Sequence, residues 1–130
     1  MPLTIFYTYK PCSWCWVWFF MLTITSACAQ NVPSLTLEEF QQQQQAEPGI
    51  VLDVRTDWEY AEGHYPGARQ HDIHQESFQA WLDTLPRDTT YYVYCFAGGR
   101  SAQAVRMMQE MGFQQCYNLK QGYSGMEKLG

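Results

Sequence analysis

The run Ile50-Val51-Leu52-Asp53-Val54 follows a Pro48-Gly49 break and is apolar at every position except Asp53. A strand with one wet face alternates apolar and polar residues, so a run without alternation reads as a strand covered on both faces, as in a parallel sheet. That commits the rest of the chain, because parallel neighbours must be joined by crossovers, usually helices. Suitable segments lie on either side. Thr36 with Glu39 forms a capping box ahead of Leu37-Glu38-Glu39-Phe40, and that helix continues through five glutamines to Pro48-Gly49. The glutamine run reads as a solvated helix face. A second capping box, Thr56 with Glu59, opens a short helix holding Trp58 and Tyr60, ended by Gly63 to Gly67. Phe78, Trp81, Leu82 and Leu85 repeat at helical spacing up to Pro86. Tyr91-Tyr92-Val93-Tyr94-Cys95 is rich in strand formers, Ser101 to Met111 reads as a helix closed by Gly112, and Cys116 to Leu119 as a short strand. Strands alternating with helices give an α/β domain built on a mostly parallel sheet. Ligands in such sheets bind beyond the carboxyl ends of the strands, where Cys95 stands.

The segment Cys95-Phe96-Ala97-Gly98-Gly99-Arg100-Ser101 puts a thiol at a strand end, two glycines in a tight loop, and an arginine and a serine at a helix start. Glycines let the backbone curl with positive φ, so that successive N–H groups converge into an anion nest. The helix N-terminus adds partial positive charge and Arg100 a full one. These effects favour thiolate over thiol and keep a nucleophile ionised. A terminal persulfide sulfur, also anionic, suits the same nest.

Cys95-x-x-Gly98-x-Arg100-Ser101 resembles the active-site loop of the rhodanese family. Asp53-Val54-Arg55 followed by Glu62-Gly63-His64-Tyr65-Pro66-Gly67-Ala68 resembles that family's earlier signature, and Asn118-Leu119 with Gly122 its closing segment. The resemblance runs from about Leu35 to Gly125. It departs from the family at Met126, near which a Trp is usual, and at Phe96-Ala97, which replace more polar residues. It implies a three-layer domain with a central, mostly parallel sheet of about five strands and helices on both faces. It also implies a sulfurtransferase in which Cys95 takes sulfur from a sulfane donor as a persulfide and passes it to a thiol, cyanide or protein acceptor, by covalent catalysis with an activated nucleophile. Phe96, Ala97, Gly98, Gly99, Arg100 and Ser101 would bind the substrate, and no cofactor is required. Asp53 and Arg55 are read as buried, hydrogen-bonded support for the loop, because charges at strand ends beside a nest must be paired. His64 is read as a turn residue with a satisfied ring. His71, Asp72 and His74 lack a third and fourth ligand at sensible spacing for a metal.

Two rivals share features of this loop. Cysteine phosphatases and arsenate reductases use a C-x-x-x-x-x-R nest, one residue longer than the interval from Cys95 to Arg100, and the smaller ring suits a single sulfur atom. A rhodanese-like module that binds a partner or relays sulfur without free-standing catalysis is the other. Phe96 and Ala97 bring no charge to attract a dianion, which predicts weak use of thiosulfate.

The remaining cysteines carry no disulfide framework. Cys95 ends its strand, and the helix after it returns the chain to the opposite edge of the sheet, where Cys116 begins a parallel neighbour. A strand of four or five residues at ~3.3 Å each separates the two by roughly 10–15 Å, beyond the ~7 Å limit for Cα atoms of a disulfide. Cys116 therefore reads as an inert core thiol.

The first third of the chain differs in kind. From Ser13 to Ala27 it carries Trp14, Trp16, Val17, Trp18, Phe19, Phe20, Met21, Leu22 and Ile24 with no charge, behind Lys10. That is an export signal over residues 1–29, short of the ~20 apolar residues of a membrane span. Ala27-Cys28-Ala29 fits small-x-small cleavage, while Thr25-Ser26-Ala27-Cys28 resembles a lipobox with Cys28 as a lipid anchor. Cys12 and Cys15 form a C-x-x-C with no strand ahead of it and so no redox motif. The domain that remains, residues 30–130, would act in the periplasm or cell envelope, touching the membrane only through the signal or a Cys28 lipid. From Ala29 onward seven basic residues face thirteen acidic ones, a formal charge of −6, which argues against nucleic acid as a partner. The mature protein is expected to begin at Ala29 or Gln30, or at a lipid-modified Cys28. N-terminal sequencing of the exported form checks this, and Met1 retained in a membrane fraction would refute it.

Overall fold

The computed structural model describes residues 31–128, and the segment read as an export signal lies outside them. The elements follow in the order β1 (Ser34–Leu35), α1 (Leu37–Ala46), β2 (Ile50–Asp53), α2 (Asp57–Glu62), β3 (Arg69–Gln70), α3 (Phe78–Asp83), β4 (Thr90–Tyr94), α4 (Gly99–Glu110), β5 (Gln115–Leu119) and α5 (Gly122–Glu127). Both capping boxes form, with Thr36 and Thr56 each accepting from the N–H three residues on and the glutamate replying to the threonine N–H.

The five strands make one parallel sheet in the order β1-β5-β4-β2-β3. Side chains alternate across it, and both faces are covered. Leu52, Val54, Tyr91, Val93, Cys95 and Cys116 pack with Phe78 and Leu82 of α3 and Ala104, Val105 and Met108 of α4. Val51, Tyr92, Tyr94 and Leu119 pack with Phe40 of α1, joined by the half-buried Tyr60, Tyr123 and Met126. This is the three-layer α/β arrangement, and it explains why β2 shows no alternation of apolar and polar residues. Met126, near which the resemblance leads one to expect a Trp, packs half-buried against the second cluster.

Cys116 lies opposite Tyr91, four residues before Cys95, so the two thiols stand at opposite ends of neighbouring strands. Both are free and buried.

One charged pair lies inside this core. Arg55 Nη2 donates to Asp53 Oδ2 at 2.6 Å and to the Gly63 carbonyl at 2.7 Å, with the two side chains 2% and 0% exposed. Tyr94 O–H donates to the same carboxylate at 2.7 Å, and the guanidinium lies 4.2 Å from the Tyr123 ring centre. Removing one partner strands the other charge away from water, which costs about 3–5 kcal/mol. Asp53→Ala should therefore lower the urea midpoint by that equivalent with an unchanged denaturant slope. A loss below ~1 kcal/mol would mean that water reaches Arg55.

Candidate functional site

Cys95 follows directly on β4, and the chain then turns through Phe96, Ala97 and Gly98 into α4. The turn depends on Gly98, at φ 91°, ψ −9°, a conformation that side chains with a Cβ resist. A Cβ there would also strike the Lys120 carbonyl. The helix accordingly begins at Gly99, two residues ahead of the Ser101 start that the sequence suggests.

Unlike α1 and α2, the twelve-residue α4 has no side-chain N-cap bond. The Cys95 sulfur stands in for the missing acceptor. Gly98 N–H donates to Sγ at 3.1 Å, and Ser101 Oγ lies 3.4 Å from it. Burial, the largest single influence on Cys95, pushes its pKa up. The Ser101 hydroxyl and the N–H groups of Ser101, Ala97 and Gly98 outweigh it, so the thiol lies below its ordinary value. The Ser101 hydroxyl is shared, since Asn118 Oδ1 lies 2.6 Å from it. One proton cannot serve both acceptors fully, so the backbone donors hold the sulfur most dependably.

Arg100 is placed differently from a free cation aimed at the sulfur. Its guanidinium forms a two-point bond with Glu59, at 2.8 and 2.7 Å, and Glu59 also accepts from Thr56. The Arg100 bond is the chief reason that Glu59 is lowered to about 2. Arg100 still feels Cys95, which ranks behind Glu59 among the groups that raise its pKa. Glu59 thus ties α2 to the loop, a role that its capping-box position in the sequence does not reveal.

Behind the loop, α5 closes the site. Tyr123 N–H donates to the Cys95 carbonyl at 2.7 Å and Ser124 N–H to that of Phe96 at 3.0 Å. Gly122, at φ 55°, has no room for a Cβ against those carbonyls. Asp53 and Arg55 reach the loop through Tyr94 and Tyr123 and do not touch the sulfur. Beside the loop lies a cleft of about 290 Å³, with Arg55 and Tyr123 in its wall and Phe96 on its border. Gly99 and Ala97 are exposed at the loop's outer side.

The histidines lie apart from this centre. His64 stacks on Tyr60 and its Nδ1 is 2.9 Å from the Tyr60 carbonyl, as expected of a satisfied turn residue. His71 stacks on Trp81. Among the described residues no group of three or more His, Cys, Asp or Glu is arranged to hold a metal.

The family model described as Rhodanese-like domain matches residues 36–129. The chain belongs to that family. As a rhodanese-like domain it is 30% identical over 81 residues to a protein of Allochromatium vinosum named Sulfurtransferase, which covers 62% of this chain and 74% of the relative. It is 30% identical over 99 residues to a Bacillus subtilis (strain 168) protein provisionally named sulfur carrier protein YrkF, covering 75% of this chain. The chain spans 52% of that relative's length. A Rhodanese-like Domain Protein from Staphylococcus aureus, solved by crystallography, superposes with a TM-score of 0.64 at 27% identity, covering 72% of this chain and 90% of that one.

The geometry ranks the contributions to Cys95 ionisation. Ser101→Ala removes a donor worth ~1 kcal/mol, roughly fivefold in thiolate population, and should move the inflection of Cys95 alkylation rate to higher pH. Arg100→Ala should move it less, because Glu59 already takes most of that charge. A larger shift for Arg100→Ala would show that the guanidinium leaves Glu59 for the sulfur in solution.

Proposed function

We propose that this rhodanese-like domain is a sulfurtransferase that carries sulfur on Cys95. The observation behind the proposal is the sulfur's position as the acceptor at the head of α4, with its pKa lowered in spite of nearly complete burial. A relative named Sulfurtransferase supports the same class of chemistry. The Cys95 thiolate attacks the sulfane sulfur of a donor, the bond to the donor breaks, and the donor leaves with the electron pair. The nest that held the thiolate now holds the persulfide anion, so one set of N–H groups serves both states. A thiol, cyanide or protein acceptor then takes the sulfur and returns Cys95 as thiolate. No separate base is needed where the thiol is already ionised.

The place of action follows from the apolar run and small residues of residues 1–29: the domain works after export, in the periplasm or cell envelope, with lipid attachment at Cys28 as one route of retention.

Intact mass spectrometry after exposure to thiosulfate, an organic persulfide or mercaptopyruvate should show a gain of one sulfur mass, mapped to Cys95 and removed by cyanide. Cys95→Ser should show none. Persulfide formation should rise with pH through the Cys95 pKa and level off above it. Full turnover by Cys95→Ser would assign the nucleophile elsewhere.

A further inference from the structure

The cleft beside the loop has an unusual charge balance. Arg55 in its wall is already matched by Asp53 at 2.6 Å, and Glu59, also in the lining, is matched by Arg100 of the neighbouring loop at 2.7 Å. Glu62 and Glu127 also line the cleft, are exposed, and have no cationic partner among the described residues. The mouth therefore holds two uncompensated carboxylates. Between walls of low dielectric their field is focused into the opening, where it repels anions and gathers cations.

The apolar lining points the same way. Trp58, 63% exposed, and Phe96, 47% exposed, are the exposed large hydrophobic side chains among the described residues, and both stand at this cleft. Exposed aromatics that converge on a cleft mark a contact surface, and their faces attract ammonium and guanidinium groups. The fold already uses that attraction here, with the Arg55 guanidinium over Tyr123. Cys95 itself is only 2% exposed and does not line the cleft, but Phe96, next to it in the chain, does, so an acceptor seated in the cleft lies beside the loop that holds the sulfur.

We infer that the acceptor is a cysteine carried on a polypeptide segment with lysine or arginine beside it, the basic side chain seated between Trp58 and the carboxylates of Glu62 and Glu127. This rests on the sulfur-transfer reading above. The acceptor thiol attacks the outer sulfur of the Cys95 persulfide, the sulfur–sulfur bond to Cys95 breaks, and Cys95 leaves with the electron pair as the thiolate held by the nest. The acceptor's thiol proton passes to the transferred sulfur, so the acceptor ends as a persulfide and charge is conserved. Small aminothiols satisfy the carboxylates but cover neither Trp58 nor Phe96.

The test loads the protein with sulfur and offers three cysteine peptides of equal length, flanked by Lys, Gln or Glu, with cysteamine as a small cationic thiol. Transfer is followed by mass spectrometry at low and high ionic strength. The expected order is Lys, then Gln, then Glu, with a Lys-to-Glu ratio in kcat/KM of about tenfold or more at low salt, shrinking as salt rises. In the double variant Glu62→Gln/Glu127→Gln that ratio should fall by about tenfold, while the Gln peptide, unchanged, reports that fold and chemistry are intact. Trp58→Ala should raise KM for the Lys peptide and leave cysteamine unaffected. A ratio that the double variant does not alter overturns the inference and leaves sulfur transfer standing. Cysteamine used as well as the Lys peptide overturns the polypeptide acceptor. A loaded protein that gives sulfur to none of these thiols, nor to cyanide, overturns the sulfur-transfer reading and the inference with it.

Discussion

A thiol whose pKa is lowered although it is almost cut off from water is the feature to which the rest of the molecule answers. Desolvation acts against the anion, and only donors fixed in place can offset it. The fold supplies them by leaving α4 without a side-chain cap, so that backbone N–H groups that would otherwise turn to water point at Sγ. Their orientation is prepared before any substrate arrives, which is what makes such groups effective in stabilising developing charge. The close passages at Gly98 and Gly122 follow from the same need. The loop is pressed between the end of β5 and the start of α5, and either Cβ would push it off the helix axis.

The two arginines nearest the loop are each neutralised by a carboxylate. Asp53 with Arg55 and Glu59 with Arg100 are closed pairs, and each ties distant segments together. The first links the end of β2 to Gly63 and, through two tyrosines, to β4 and α5. The second links α2 to α4 across 41 positions of sequence. Arg100 consequently acts less as a counter-ion than as a strut, and the lowered pKa of Cys95 comes from the short-range dipoles of Ser101, Ala97 and Gly98, which salt screens little.

Much of this was legible in the sequence where the determinants are local. Both threonine capping boxes, the apolar run of β2 and the strand-loop-helix order around Cys95 depend on residues within a few positions of one another, and each appears as read. The two-residue strands β1 and β3 show no periodicity, because Ser34–Leu35 and Arg69–Gln70 exist only by pairing with β5 and β2. Helix α5, with two glycines in Gly-Tyr-Ser-Gly-Met-Glu, has no intrinsic reason to form and is held by its bonds to the Cys95 and Phe96 carbonyls. The partnership of Glu59 with Arg100 and that of Ser101 with Asn118 escaped for the same reason. Glu59 announces a cap and Asn118 a closing segment, and only the tertiary fold brings either to the loop.

The two cysteines of the domain separate the influences that burial and hydrogen bonding exert on a thiol. Cys95 and Cys116 are 2% and 3% exposed and pack in the same cluster on the same face of the sheet. Burial alone acts on Cys116 and pushes it up to about 11. The hydrogen-bond partner of its sulfur is the Val105 carbonyl at 3.9 Å, an acceptor and not a donor. Cys95 bears a similar penalty and ends on the other side of its ordinary value. Sheet, core and solvent exposure are nearly constant between them, so the difference comes from position along the strand. Cys116 sits near the amino end of β5, where the chain arrives from a turn, while Cys95 sits at the carboxyl end of β4, facing the first turn of a helix. In a parallel α/β fold every strand points its carboxyl end toward such helix starts, and a reactive thiol is cheapest to build there. A cysteine at the other end of the same sheet remains a core residue.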